Sequence, residues 1–330
     1  MRVLVTGGAG YVGSFTARHL LAAGHDVAVL DDLSSGHAAA VPADALTACG
    51  IADRQRVAAL LRERRIEAVL HFAAFSSVAD SVRKPETYWQ NNVAGTLALL
   101  EAMRACGVER IVFSSSASVY GETAESPLSE AAVLAPESPY AATKFVVERI
   151  FADLARAHGL RHVSLRYFNA AGASADGAHG EHHDPETHLI PILLQALQGL
   201  RERVTVYGDD FATPDGTCIR DYVHVDDLAD AHGRALEWTA RAGAGAGEAI
   251  NLGTGTGHSV LEVIREAERV TGKRLDFTRG ARRPGDTARL VASLSKAERV
   301  LGWRPRAGLE QILASAWDWH RSHPRGYTGE

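Results

Sequence analysis

The sequence predicts an α/β protein: a doubly wound parallel sheet followed by a smaller mixed α/β substrate lobe. Three observations lead there. Short runs rich in Val, Ile and Leu alternate with longer segments of helical period through residues 1–168. The runs are apolar along their whole length, as strands covered by helices on both faces must be. After about residue 168 this alternation gives way to shorter elements and polar, glycine-rich loops.

Taken in order, Val3–Val5 reads as the first strand, Tyr11–Ala23 as a helix and Asp26–Leu30 as the second strand. Ala68–Phe72 and Arg110–Ser114 are further strands, each preceded by a helical segment, Val57–Arg64 and Thr96–Ala105. The helix Tyr140–Ala157 leads to a strand at His162–Arg166. Beyond it, Leu189–Leu200, His224–Trp238, Ser259–Val270 and Leu309–His320 have helical period, while Ala170–His183, Gly208–Thr217 and Ala240–Gly247 read as loops. The expected division is a nucleotide-binding domain over 1–168 and, over 169–330, mainly a lobe for the substrate. Some segments of that lobe are expected to cross back to the first domain.

Composition narrows the function. A net charge of -5 over 330 residues offers no footprint for nucleic acid. Cys49, Cys106 and Cys218 are far apart, which argues against a disulfide framework or a cysteine zinc site and fits a reducing compartment. No run approaches the roughly eighteen apolar residues of a membrane helix, and the first strand is too short for a signal peptide. A cytoplasmic location without membrane partners is expected. The histidines His179, His182, His183 and His188 match no standard metal spacing, so no metal is expected.

The first chemical motif is Thr6-Gly7-Gly8-Ala9-Gly10-Tyr11-Val12-Gly13, between the first strand and first helix. Its glycines Gly7, Gly10 and Gly13 suit a tight turn, close approach of a pyrophosphate, and close helix–strand packing. The helix N-terminus supplies free N–H groups for phosphate. Glycine-rich turns without a ligand give similar strings, so the second strand decides: it ends at Asp31, eighteen residues after Gly13. A carboxylate there bonds a ribose 2′-hydroxyl and repels a 2′-phosphate, which favours NAD over NADP. The sheet is thus expected to be a Rossmann sheet.

The second motif is Tyr140-x-x-x-Lys144, one face of a helix. With eight Tyr and four Lys in the chain, roughly 0.1 such pairs arise by chance. A nearby ammonium and the positive nicotinamide ring favour the phenolate, so Tyr140 can take a hydroxyl proton. The third is Phe113-Ser114-Ser115-Ser116-Ala117-Ser118 at the end of a strand. Most of these serines read as turn residues; Ser116 is taken as the proton relay to Tyr140.

Together with VLVTGGAGYVGS, VLDDLSSG, HFAA, NNVAGT, FSSSASVYG, SPYAATK, RYFNAAG, ETHLIP, DGTCIRDYVHVDDLADAH, NLGTG, RRPGD and LGWRP, these motifs resemble the extended short-chain dehydrogenase/reductase family, and within it the UDP-glucose 4-epimerases. The resemblance implies a catalytic trio of Ser116, Tyr140 and Lys144. It implies NAD contacts at Gly7, Gly10, Tyr11, Val12, Gly13, Asp31, Asn91, Tyr140, Lys144 and Tyr167. It places the nucleotide-sugar, a UDP-sugar, at Ser116, Tyr140, Asn169, His188, Leu189, Tyr207, Arg220, Arg283, Asp286 and Leu290. Guanidinium forks at Arg220 and Arg283 suit a diphosphate; surface ion pairs are the plain alternative. The implied reaction interconverts UDP-galactose and UDP-glucose through a 4-keto sugar, in a homodimer.

Three positions depart from the family. Gly50 stands where relatives carry an acid toward the adenine, implying weaker NAD retention. Ser76 replaces a lysine beside the cofactor in some relatives. Leu290 replaces a tyrosine near the sugar's C2, implying room for UDP-N-acetylglucosamine. Rival readings are a sugar-nucleotide dehydratase, an epimerase acting on a different nucleotide, and a non-enzymatic NAD-binding regulator. Ser116-Ala117-Ser118 lacks the acid pair that dehydration needs, and the intact Tyr140 and Lys144 argue against a regulator.

Overall fold

The computed structural model describes residues 1–122, 126–283 and 286–327. Pro284 and Gly285 of the RRPGD motif lie outside the described residues. The first half is built of β1 (Arg2–Thr6), α1 (Tyr11–Ala22), β2 (Asp26–Asp31), β3 (Leu46–Ala48), α2 (Arg54–Glu63), β4 (Ala68–His71), the short α3 (Val78–Arg83) and α4 (Pro85–Tyr88), α5 (Thr96–Ala105), β5 (Arg110–Ser114), α6 (Pro139–His158) and β6 (Arg161–Tyr167). The second half adds β7 (Asn169–Ala171), α7 (Leu189–Leu197), β8 (Val204–Tyr207), β9 (Ile219–His224), α8 (Val225–Arg241) and β10 (Gly247–Leu252). It ends with β11 (Gly257–Ser259), α9 (Val260–Thr271), β12 (Phe277–Gly280), β13 (Arg289–Leu290), α10 (Ser295–Leu301) and α11 (Leu309–Ser322).

Seven strands form one parallel sheet in the order β10-β6-β5-β4-β1-β2-β3. Successive side chains of each strand enter opposite faces. Val3, Val5, Val27, Val29, Leu70 and Val112 pack with α1, α8 and α10. Leu4, Ala28, Leu30, Val69, Ile111 and Phe113 pack with α2, α5 and α6. Both faces are therefore buried, which is why the strand sequences are apolar without alternation. The chain winds outward in both directions from β1, which lies between β2 and β4. Ligands of open α/β sheets bind at the carboxyl ends of strands flanking such a reversal.

Three elements of this sheet layer come from the second half. Strand β10 pairs with β6, and α8 and α10 pack on the same core as β1 and β2. The segment read as a loop over Ala240–Gly247 is shorter than expected: α8 runs through Arg241 and β10 begins at Gly247. Gly247 is a packing glycine, since a Cβ there would stand 2.0 Å from His162 Nε2.

The second lobe gathers around β9, which pairs with β7, β11 and β13. A separate parallel pair joins β8 to β12. Their core is formed by Leu193, Leu194, Val206, Tyr222, Ile264 and Ile312, among others.

Candidate active site

The glycine loop crosses the carboxyl end of β1 as its sequence requires. Gly7 has φ +68, and a Cβ would lie 2.4 Å from the Ala73 nitrogen, so both its conformation and its contact exclude other residues. A Cβ on Gly13 would lie 2.2 Å from the Gly7 carbonyl oxygen, so Gly13 lets α1 close on the turn. Gly10 differs: a Cβ there would meet only the Gly7 carbonyl oxygen, at 3.4 Å. It lines an open cleft with Gly7, Asp31, Gly50, Phe75 and Asn91. Gly10 caps α1 without a side-chain hydrogen bond, and the first turn holds no acidic residue. A bare, positively polarised helix end facing a cleft fits a dinucleotide pyrophosphate.

Asp31 ends β2 beside this cleft, buried. Its carboxylate accepts the N–H groups of Ala9 and Leu33, both at 2.9 Å, so it shapes the glycine loop besides facing the ligand space. Burial raises its pKa, and the two backbone donors oppose that rise. Tyr11 and Val12 open α1; the Tyr11 hydroxyl donates to the Gly172 carbonyl at 2.6 Å, tying the loop to the second lobe. Gly50 leaves space, with Asp32 Oδ2 the nearest atom to an added Cβ at 3.9 Å. Ser76 is exposed.

The reacting residues stand on α6 and the end of β5. Helix α6 starts where Ser138 caps the Ala141 N–H at 3.2 Å with Pro139 in the first turn, and it ends at Gly159 in the left-handed region. That fixes Tyr140 in the first turn and Lys144 one turn on. Lys144 is buried, its Nζ 5.8 Å from the Tyr140 ring centroid and donating to the Ser114 carbonyl at 2.7 Å. Burial brings the Lys144 pKa down to about 7, with Glu148 opposing. Ser116 caps a short 3-10 turn, accepting the Ser118 N–H at 3.1 Å and the Ser118 hydroxyl at 2.9 Å, and it stands near enough to Tyr140 to lower the phenol's pKa. Tyr167 meets the Ser114 hydroxyl at 2.5 Å.

The phenolate expected at Tyr140 relies on the ammonium and the nicotinamide ring together; in the protein by itself the Tyr140 pKa is raised. Burial raises it, and the neighbouring Ser116 hydroxyl only opposes that rise. The physical reason is the loss of water around the phenol, which penalises its charged form. Without the charge of a ligand, the pair favours phenol.

The second lobe collects the residues assigned to the sugar-nucleotide. Asn169 on β7 donates to the Asp221 carbonyl at 3.1 Å, and Leu290 on β13 lies opposite Arg220 on β9. Arg220 pairs with Asp286 at 3.2 Å and also donates to the Thr287 carbonyl at 2.8 Å. The plain ion-pair reading of Arg220 is thus met, with a partner that the resemblance assigns to the same ligand. Arg283 lies over the Tyr207 ring, 4.1 Å from its centroid. His188 and Leu189 form the start of α7.

Sequence reasoning missed the support behind these residues. Glu148, four after Lys144, accepts the Ser115 hydroxyl at 2.5 Å and a buried fork from Arg166. Arg166 also donates to the Tyr120 hydroxyl at 3.0 Å, which donates to Asn251 at 2.7 Å. The Tyr-Lys-Glu spacing at four and four was the available signal. Buried Asn92 clasps Phe75 and Thr143, fixing the cleft wall beside Asn91. Buried Asp221 accepts N–H groups from Thr254, Gly255 and Ala292 and so ties β9 to two loops.

Comparison with known proteins settles the family. Residues 3–253 match the family described as the NAD dependent epimerase/dehydratase family. The chain belongs to it. Among epimerase/dehydratase relatives, the UDP-glucose 4-epimerase of Streptomyces lividans is 51% identical over 328 residues, covering 99% of this chain and 98% of its own length. That of Streptococcus mutans is 48% identical over 331 residues, covering 99% of each. A UDP-glucose-4-epimerase structure from Stenotrophomonas maltophila, with bound NAD and formylated UDP-arabinopyranose, superposes with a TM-score of 0.95 at 43% identity, covering 98% of this chain and 99% of its own.

Proposed function

We propose that this chain interconverts UDP-galactose and UDP-glucose by oxidising and re-reducing C4′ of the sugar, with NAD as its cofactor. The observation that carries the reading is the arrangement of Tyr140, neighboured by Ser116 and backed by buried Lys144 5.8 Å from its ring, beside a glycine loop open to a dinucleotide. NAD, when bound, takes the C4′ hydride and gives it back.

The protein's side chains do the rest. Tyr140 accepts the 4′-hydroxyl proton, directly or through Ser116, and returns it to the same oxygen. Lys144 supplies the neighbouring positive charge that favours the phenolate. Gly7, Gly10, Tyr11, Val12 and Gly13 present the end of α1 to the pyrophosphate, with Asp31 toward the ribose and Asn91 and Tyr167 flanking. Asn169, His188, Leu189, Tyr207, Arg220, Arg283 and Asp286 hold the UDP, so the 4-keto sugar can turn over in the pocket. Leu290 stands on the sugar side.

On this reading residues 1–168 are the NAD-binding part, with residues 169–330 mainly binding the sugar-nucleotide. Trp89 and Leu97 are exposed apolar residues near α5, which supports a homodimer through the faces of α5 and α6. No helix among the described residues is long and apolar enough to cross a membrane.

The test is turnover of UDP-galactose to UDP-glucose without added NAD, with Tyr140→Phe as control. Turnover in the parent that is lost in the variant is the expected result. No turnover of either, even with NAD supplied, would overturn the assignment.

A further inference from the structure

The loop between β7 and α7 carries Glu181-x-His183-x-x-Glu186-x-His188, and the fold brings these four side chains to one point. One donor atom from each lies within 4.8 Å of all the others. His188 Nδ1 is 2.6 Å from Glu181 Oε1, and His183 Nδ1 is 3.3 Å from the same atom. Glu186 approaches His188 at 3.6 Å and His183 at 3.7 Å. Four ligands each ~2.0–2.1 Å from a tetrahedral zinc ion stand about 3.4 Å from one another. Three of these separations lie close to that edge; the fourth, His188 to Glu181 at 2.6 Å, is a hydrogen bond that ion binding would open.

Two further features point to an ion. Both carboxylates are nearly inaccessible, with side chains 4% exposed, so their charges need close compensation. His183 Nδ1 is a buried nitrogen that makes no hydrogen bond, although it stands within ion-pair distance of both carboxylates. Glu186 Oε1 already accepts the N–H groups of Thr187 and His188, each at 2.8 Å. That anchoring orients the carboxylate, as the outer contacts of metal ligands do.

We infer that Glu181, His183, Glu186 and His188 form a binding site for a divalent first-row cation of the zinc class. The sequence reading sets aside His179, His182, His183 and His188 because their spacing matches no standard site and the expected chemistry needs no metal. The grouping proposed here instead joins two of them, His183 and His188, to Glu181 and Glu186. Ligation through Nδ1 leaves His188 Nε2 free for the sugar-nucleotide, so the inference is independent of the proposed function.

The site fastens a loop that bridges both halves of the chain. His182 stacks on His37 at 4.3 Å between centroids, Tyr11 meets His183 edge-on at 6.3 Å, and Trp319 donates to the Glu181 carbonyl at 3.0 Å. An ion here holds the substrate-side loop against the start of α1. Its role is structural, apart from the hydride chemistry.

The experiment takes the full-length protein, treated with chelator, and titrates it with Zn²⁺ by calorimetry and with Co²⁺ by visible absorption. One equivalent of zinc and the intense d–d bands of four-coordinate Co²⁺ are expected. His183→Ala and Glu186→Gln each weaken zinc binding roughly tenfold or more, while His158→Ala, an exposed histidine on α6, does not. Should a variant fail to fold, the Co²⁺ spectrum of the parent decides alone. No stoichiometric binding, a six-coordinate Co²⁺ spectrum, or undiminished binding by folded His183→Ala overturns the site.

Discussion

Replacing Lys144 with methionine should stabilise the nucleotide-free protein at mildly acid pH while abolishing turnover. Lys144 is 3% exposed, and burial takes its pKa from 10.5 to about 7. At 1.36 kcal/mol per unit, holding the proton in the fold costs about 5 kcal/mol below pH 7. Between about 7 and 10.5 the unfolded chain binds the extra proton, so stability rises with pH through that window. Methionine removes the penalty and keeps comparable helix propensity. It also leaves the buried Ser114 carbonyl without its donor, a loss of about 1–3 kcal/mol. The net gain at pH 6 is therefore about 2–4 kcal/mol. For a chain of this length that is roughly 3–6 °C in melting temperature. By about pH 10 the penalty has nearly gone and the sign reverses, to a loss of about 1–2 kcal/mol. Thermal melts of parent and variant at pH 6 and pH 10, after removal of bound nucleotide, measure both. A variant less stable than the parent at pH 6 would refute the reasoning, since the buried ammonium would then be well compensated.

Other outcomes follow from neighbouring contacts. Arg166→Met strands the Glu148 carboxylate, whose side chain is 10% exposed, and should destabilise by about 3–5 kcal/mol in urea unfolding. Adding Glu148→Met should recover much of that loss. Gly50→Asp has room for its side chain and should raise the NAD content of the purified protein; unchanged content would show that Gly50 is not what limits retention. Leu290 packs partly buried against the Tyr120 cluster. The parent should epimerise UDP-N-acetylglucosamine, and Leu290→Tyr should depress that activity far more than turnover of UDP-galactose.

What was legible in the sequence was local. The glycine loop, the acid closing β2, and the Tyr140–Lys144 pair each sit within one turn or one strand–helix unit, where spacing alone fixes geometry. The apolar strands declared their burial through composition. What was hidden depends on contacts across long separations. The hydrogen bond from Tyr120 to Asn251 spans 131 positions, and that from Ala292 to Asp221 spans 71. Strand β10 escaped notice because a run of glycine and alanine precedes it and its first residue is chosen by the His162 ring.

Hydride transfer out and back at one carbon is the central claim. It is tested most directly by giving the enzyme UDP-galactose carrying deuterium at C4′ in ordinary water and reading the UDP-glucose by mass spectrometry. The account predicts that the deuterium remains at C4′ through turnover, because it leaves as hydride and returns to the same carbon. Loss of the label to solvent at the rate of epimerisation would contradict it, since C4′ would then be exchanging a proton and Tyr140 would be removing the wrong hydrogen.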